Sequence, residues 1–298
     1  MHNIVALFVS SVALALCQVA FYLNFFLMHS VFCAKRDATS RKPSLTLIYG
    51  RFLVDSLYTV ATSGNLIYHL MGIIDIDLLG PRKLLFLIAW PNFNIGTVRA
   101  CLAFFITLDR VLAACLPIYY HKYRSIIANR SIFVAIAAWT LFESFILFGV
   151  CDYRLNIPEQ CTHFGCAVNT CYHDYWLNFE QLMYLSIGIA SAILCTRLFV
   201  WNHWNTAAKT RNTKLSRANR LALLDTFVIF VFDLLPPFLF SHFPSINFET
   251  VGPLSAVCKN AGFVIESLLT ITVLLGNRGI APSLEKSEKT DKSTQAPT

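Results

Sequence analysis

Charged and amide side chains stand inside long apolar stretches of this chain, and they are its chemically pointed residues. Asn92, Asn94 and Arg99 share one stretch; Glu143, Glu180, Asp233 and Lys259 fall singly in the next four. A charge in such a setting is costly to leave alone, so it faces other polar groups, water or a bound molecule. These seven residues are therefore the candidates for a small-molecule pocket. Asp55, Asn65, Gln181 and Glu266 share the setting, and polar groups between helices also serve as structural glue. Bond-breaking chemistry is not indicated. There is no Gly-x-Ser-x-Gly, no His-Glu-x-x-His and no set of histidines at one depth, so neither an enzyme, a cofactor nor a resident metal is expected.

Cysteine is the second reactive type. Cys151, Cys161, Cys166 and Cys171 crowd one short region. Two disulfides there would restrain a loop by about 2 to 4 kcal/mol each, and four cysteines allow three connectivities. A zinc site with His163 or His173 is the competing use, although no Cys-x-x-Cys or His-x-x-x-His pair is present.

The elements that must position these groups follow from hydropathy. The 298 residues are 56% hydrophobic and only 14% charged, with a mean hydropathy of +0.56. Ordinary globular chains carry about 25% charged residues, so lipid must be part of the solvent. A helix needs roughly 20 apolar residues to cross a bilayer. Stretches near 4–33, 45–74, 84–116, 131–151, 178–201, 219–243 and 253–276 meet that length. The expectation is an all-α, seven-transmembrane helix bundle over 1–276, with a disordered polar tail over 277–298. The stretch containing Ala13, Leu14 and Ala15 resembles a signal-peptide cleavage region, but it is too long and lacks a basic leader. It is read as the first helix.

Orientation comes from Lys and Arg in the connections. The first, third and fifth connections hold eleven between them, among them Lys35, Lys122 and Lys209, and the even ones hold only Arg82, Lys83 and Arg154. That places the N-terminus outside, the C-terminus in the cytosol and the cysteine-rich loop outside, where disulfides persist. The net charge of +7 is thus a topology signal with membrane lipids as its partner, and no nucleic-acid partner is expected. The sequon at Asn129 falls on the cytosolic side and should carry no glycan.

Depth suggests one pairing. Arg99 lies roughly 15 Å above Asp109, and Glu143 lies at similar depth on the next helix, so a buried Arg99–Glu143 ion pair is expected, against the alternative that each charge finds its own backbone or water partners. Pro236 and Pro237 should kink the sixth helix.

At the inner end of the third helix stand Asp109, Arg110 and Val111, with Pro117 eight residues after the acid. This segment resembles that of rhodopsin-like G-protein-coupled receptors, although Val111 replaces the usual aromatic and neither Asn-Pro-x-x-Tyr nor Cys-Trp-x-Pro occurs. A nearer resemblance is to the nematode serpentine chemoreceptors of the Srbc class. It is carried by Tyr49-Gly50-Arg51-Phe52-x-x-Asp55, by Pro91-Asn92-Phe93-Asn94, by Asp109-Arg110-Val111 with Pro117-Ile118-Tyr119-Tyr120, by Phe164 to Cys171, by Leu215 to Asp225 and by Phe248 to Pro253. The resemblance implies a rhodopsin-like architecture and a multi-pass receptor of the plasma membrane, at the sensory-neuron surface or cilium. Its partners would be an external small-molecule ligand and a heterotrimeric G protein. Asp109, Arg110 and Pro117 would form the inner switch, and Arg217 and Arg220, where helix six continues into the cytosol, a G-protein contact.

Two rivals carry different sequence marks. A small-solute transporter often shows repeated halves, which are not evident here. A ligand-gated ion channel of the seven-helix chemoreceptor kind generally has the opposite orientation.

Overall fold

The computed structural model describes residues 2–34, 43–74, 83–124, 129–158, 161, 164–204, 227–236, 239 and 253–275. Among these residues every regular element is helical. The long helices are α1 (His2–Ala34), α2 (Pro43–Ile74), α3 (Lys83–Cys115), α5 (Asn129–Phe145), α7 (Thr170–Trp204) and α8 (Leu254–Leu275). Two short ones, α4 (Pro117–Tyr123) and α6 (Phe164–Ala167), lie between them. Four spans are long and apolar enough to cross a membrane: Ile4–Ser30, Asn129–Val150, Thr170–Arg197 and Leu254–Thr272. α1 runs unbroken through Ala13, which is buried against Cys17 and Leu66.

The surface is apolar where a soluble protein would be polar. Phe8, Tyr22, Leu87, Leu141, Leu182 and Phe227 are all exposed, while charges sit inside. That inversion fits a lipid-solvated bundle. α3 is the hub, since it packs against α2, α5 and α7, while α1 packs on α2 and α8. Leu102 and Ile106 of α3 meet Leu47 of α2, Ile136 of α5 and Phe179 of α7 in one cluster.

Helix ends follow local chemistry. Pro117 occupies the first turn of α4, where its missing N–H is no loss and its fixed φ favours a helix start. α7 begins at Thr170, about two turns before the apolar stretch at 178, because Asn169 caps it. The Asn169 side chain accepts the Tyr172 N–H at 3.1 Å and donates to the Cys151 carbonyl at 2.6 Å. α5 passes into a π-helical segment, Ile146–Val150, capped by Cys151, and Asp152 follows with a φ of 44° that turns the chain away. Asp is among the few side chains that adopt this left-handed conformation readily.

A second π-helical segment, Ile229–Leu234, precedes Pro236. Its cause is the proline, whose ring crowds the carbonyl one turn back and widens the ladder to the five-residue spacing. The Leu235 N–H accordingly donates to the Phe230 carbonyl. Pro237 lies outside the described residues. α8 approaches this segment closely at Gly262, where an added Cβ would stand 2.8 Å from Phe232 Cβ.

Beyond α5, four cysteines form two disulfides, Cys151–Cys171 and Cys161–Cys166. The first ties the end of α5 to the start of α7. Sulfurs bonded to one another cannot serve as zinc ligands, and among the described residues no His, Cys, Asp and Glu group could hold a metal ion. His173 is partly exposed beside Asp174, and His163 lies outside the described residues. Tyr153 pins the loop to the bundle: its hydroxyl donates to the Ala167 carbonyl at 2.6 Å, and its ring stacks on Phe86 of α3 at 5.3 Å. Burial pushes the Tyr153 phenol up from its ordinary value.

Candidate functional site

Four buried charges and the partly buried Glu266 come together from α2, α3, α8 and the second π segment. Arg99 Nε donates to Asp55 Oδ1 of α2 at 3.0 Å, and Arg99 Nη1 to Asp233 Oδ2 of the second π segment at 3.2 Å. Arg99 Nη2 lies 3.6 Å from Glu266 Oε2 of α8. Arg51, one turn before Asp55, joins from α2 with its Nη2 2.9 Å from Glu266 Oε1 and its Nε 3.5 Å from Asp55 Oδ2. The Phe263 ring lies 4.2 Å from the Arg99 guanidinium carbon, a cation–π contact. Arg99, Asp55 and Asp233 are 2 to 3% exposed. A guanidinium suits this task because it is always charged and offers five donors in a fixed plane.

The expected Arg99–Glu143 pair is not formed. Glu143 is fully buried and accepts a hydrogen bond from Thr97 Oγ1 at 3.0 Å. Thr97 and Arg99 are two residues apart, which turns their side chains about 200° from each other around α3. The two charges share a depth and face opposite ways.

A cavity of about 50 Å³ opens beside the cluster, lined by Arg99, Asp233, Asn92, Glu180, Lys259 and the rings of Tyr58, Phe93, Trp176, Tyr184 and Phe263. Lys259 of α8 and Glu180 of α7 form an ion pair at 2.5 Å, and the Tyr184 hydroxyl donates to the same Glu180 oxygen at 3.1 Å. Asn92 accepts a hydrogen bond from Thr62 of α2 at 2.8 Å. Gly96 lies on the wall next to Tyr58, where any larger residue would narrow the space. Of the seven pocket candidates, five line this cavity. Asn94 does not, and donates to the Trp90 carbonyl of its own helix; Glu143 faces α3 from the other side. The aromatic wall is not legible in the sequence, because an aromatic in an apolar stretch carries no mark separating it from lipid-facing neighbours.

The second charged centre lies ten residues further along α3. Asp109 accepts Arg124 Nε at 2.7 Å and the Tyr120 hydroxyl at 3.2 Å. Arg124 reaches on to Asn129 Oδ1 at the start of α5 at 2.5 Å. The α4 turn initiated by Pro117 brings Tyr120 and Arg124 back onto α3. Arg110 is buried at the same level. Arg217 and Arg220 lie outside the described residues. Along α3, Phe86 beneath the disulfide loop and Asp109 stand roughly 35 Å apart, about a bilayer thickness.

A family model described as the serpentine type 7TM GPCR chemoreceptor Srbc matches residues 2–278. None of the curated proteins matches the chain.

Proposed function

The chain belongs to the Srbc family of serpentine 7TM GPCR chemoreceptors, and we propose that it binds a small external molecule in the Arg99–Asp233 cavity and thereby activates a heterotrimeric G protein. In this reading seven helices cross the plasma membrane, as the family description implies, with the disulfide-tied loop and the N-terminus outside. The G protein meets the end that carries Asp109, Arg110 and Pro117, with Arg217 and Arg220 adding basic contacts there. A sensory-neuron surface or cilium is the corresponding site of action.

One observation supports this most: Arg99 and Asp233 belong both to the cavity wall and to the ion-pair cluster joining α2, α3, α8 and the second π segment. A molecule entering the cavity touches the contact that holds the π segment to α3. If it binds better when that contact is loosened, it shifts the population toward the loosened state. The resting cavity is well below the 300 Å³ or more typical of small-molecule sites, so binding and opening are coupled. Pro236, just after the π segment, is the natural pivot for the inner part of its helix.

The test is G-protein activation in membranes carrying the intact chain or Arg110→Ala at matched surface density, against a broad panel of odorants and metabolites. Activation by some compound in the intact chain, lost in Arg110→Ala, is expected. Compound-evoked current or uptake indifferent to Arg110 would refute the reading.

A further inference from the structure

We infer that the molecule this cavity receives carries a protonated amine, and that Asp233 is the group that binds it. The inference rests on the cavity being the receptor's ligand site.

Asp233 is 98% buried and lines the cavity. Its Oδ2 accepts from Arg99, while its Oδ1 is buried with no hydrogen-bond partner. A bare carboxylate oxygen in the interior is costly, so a donor is called for. The cations on the wall do not supply it in this arrangement, although Arg99 Nη2 is itself without a hydrogen-bond partner. Lys259 is held by Glu180, and Arg99 by Asp55, Asp233 and Glu266. Behind the wall Asp55 and Glu266 stand with Arg51, so the described charges around the cavity comprise one acid more than bases.

A neutral hydroxyl would satisfy Oδ1 and leave that imbalance. An ammonium group satisfies both. A carboxylate ligand would add a second uncompensated charge and meet cations that already have carboxylate partners. The wall beyond Asp233 also suits an amine: Tyr58, Trp176, Tyr184 and Phe263 give apolar contact to its carbon skeleton, and Trp176, Tyr184 and Phe263 already receive the cations of Lys259 and Arg99 over their rings. A cavity of about 50 Å³ accepts an ammonium head first, so compact amines fit before bulky ones. Bound at Oδ1, the ammonium shares Asp233 with Arg99 and weakens the tie between α3 and the π segment.

The experiment uses the full chain with probes of matched skeleton: butylamine, 1-butanol and butyrate, then benzylamine, benzyl alcohol and benzoate. Binding is read as thermal stabilisation of the purified receptor, and signalling as G-protein activation in membranes. The amines should stabilise and activate, with the alcohols and acids at least tenfold weaker. Asp233→Asn should raise the amine midpoint at least tenfold, and Asp233→Glu should raise it less. If Asp233→Asn does not fold, the probe series on the intact chain and the Asp233→Glu midpoint decide. The inference is overturned if no amine stabilises, if alcohols or acids match the amines, or if Asp233→Asn leaves the amine midpoint unmoved. Amine binding through Asp233 without G-protein activation would uphold the ligand class and refute the receptor reading. Activation by butanol or butyrate with silent amines would do the reverse.

Discussion

The two charged centres on α3 are built in opposite ways. The Asp109 centre is local: its acid, its arginine, its tyrosine and the receiving amide all fall between residues 109 and 129, and Arg124 is 16% exposed. The Arg99 centre gathers residues 51, 55, 99, 233 and 266, almost all shut away from solvent. A local centre fixes one turn and can open alone. A centre assembled from four segments ties them together, so breaking it is felt across the bundle.

Arg99→Ala should therefore have the largest effect. It leaves Asp55, Asp233 and Glu266 without their common cation, and removal of one partner from a buried pair costs about 3 to 5 kcal/mol. Near-complete loss of surface expression is expected, and normal surface levels would contradict the coupling. The covalent ties come next. Opening Cys151–Cys171, which closes a 20-residue separation, with Cys171→Ser should lower stability by about 3 kcal/mol. Cys161→Ser, across a separation of 5, should cost about 2 kcal/mol. Thermal unfolding in detergent ranks the two.

Gly262→Ala places a methyl 2.8 Å from Phe232 Cβ and should cost about 1 to 3 kcal/mol by overpacking. Because it pushes α8 off the π segment, it should also raise basal signalling. Arg124→Ala breaks the local centre instead. A cost of about 1 kcal/mol is expected for this partly exposed pair, with intact surface expression and raised basal G-protein activation. A collapse as severe as that of Arg99→Ala would erase the contrast between the centres. Arg154→Ala is the reference, since its pair with Asp152 is about four-fifths exposed and no change in expression should be measurable.

The all-helical character is legible in the sequence because apolar runs of bilayer length permit little else. Arg99, Asp233, Glu180 and Lys259 are legible for a related reason, as each is a polar group where polarity is expensive. The partners are less so. Depth along neighbouring helices suggests Glu143 for Arg99, but depth contains no information about which face a side chain occupies. Thr97 and Arg99 show the consequence, two residues apart and served by different helices. The Arg51–Asp55 spacing, one turn on α2, held a usable signal: two opposite charges on one helical face mark that face as interior. Tyr58, Phe93, Trp176 and Phe263 were hidden, since in lipid an aromatic on the outside costs nothing and hydropathy cannot tell wall from exterior.

In the proposed mechanism the Arg99–Asp233 contact holds the receptor in its resting arrangement. Basal G-protein activation by Asp233→Asn, at surface density matched to the intact chain and with no compound added, tests it most directly. Activity several-fold above the intact chain is predicted. Basal activity equal to that of the intact chain, in a variant that reaches the surface normally, would contradict it.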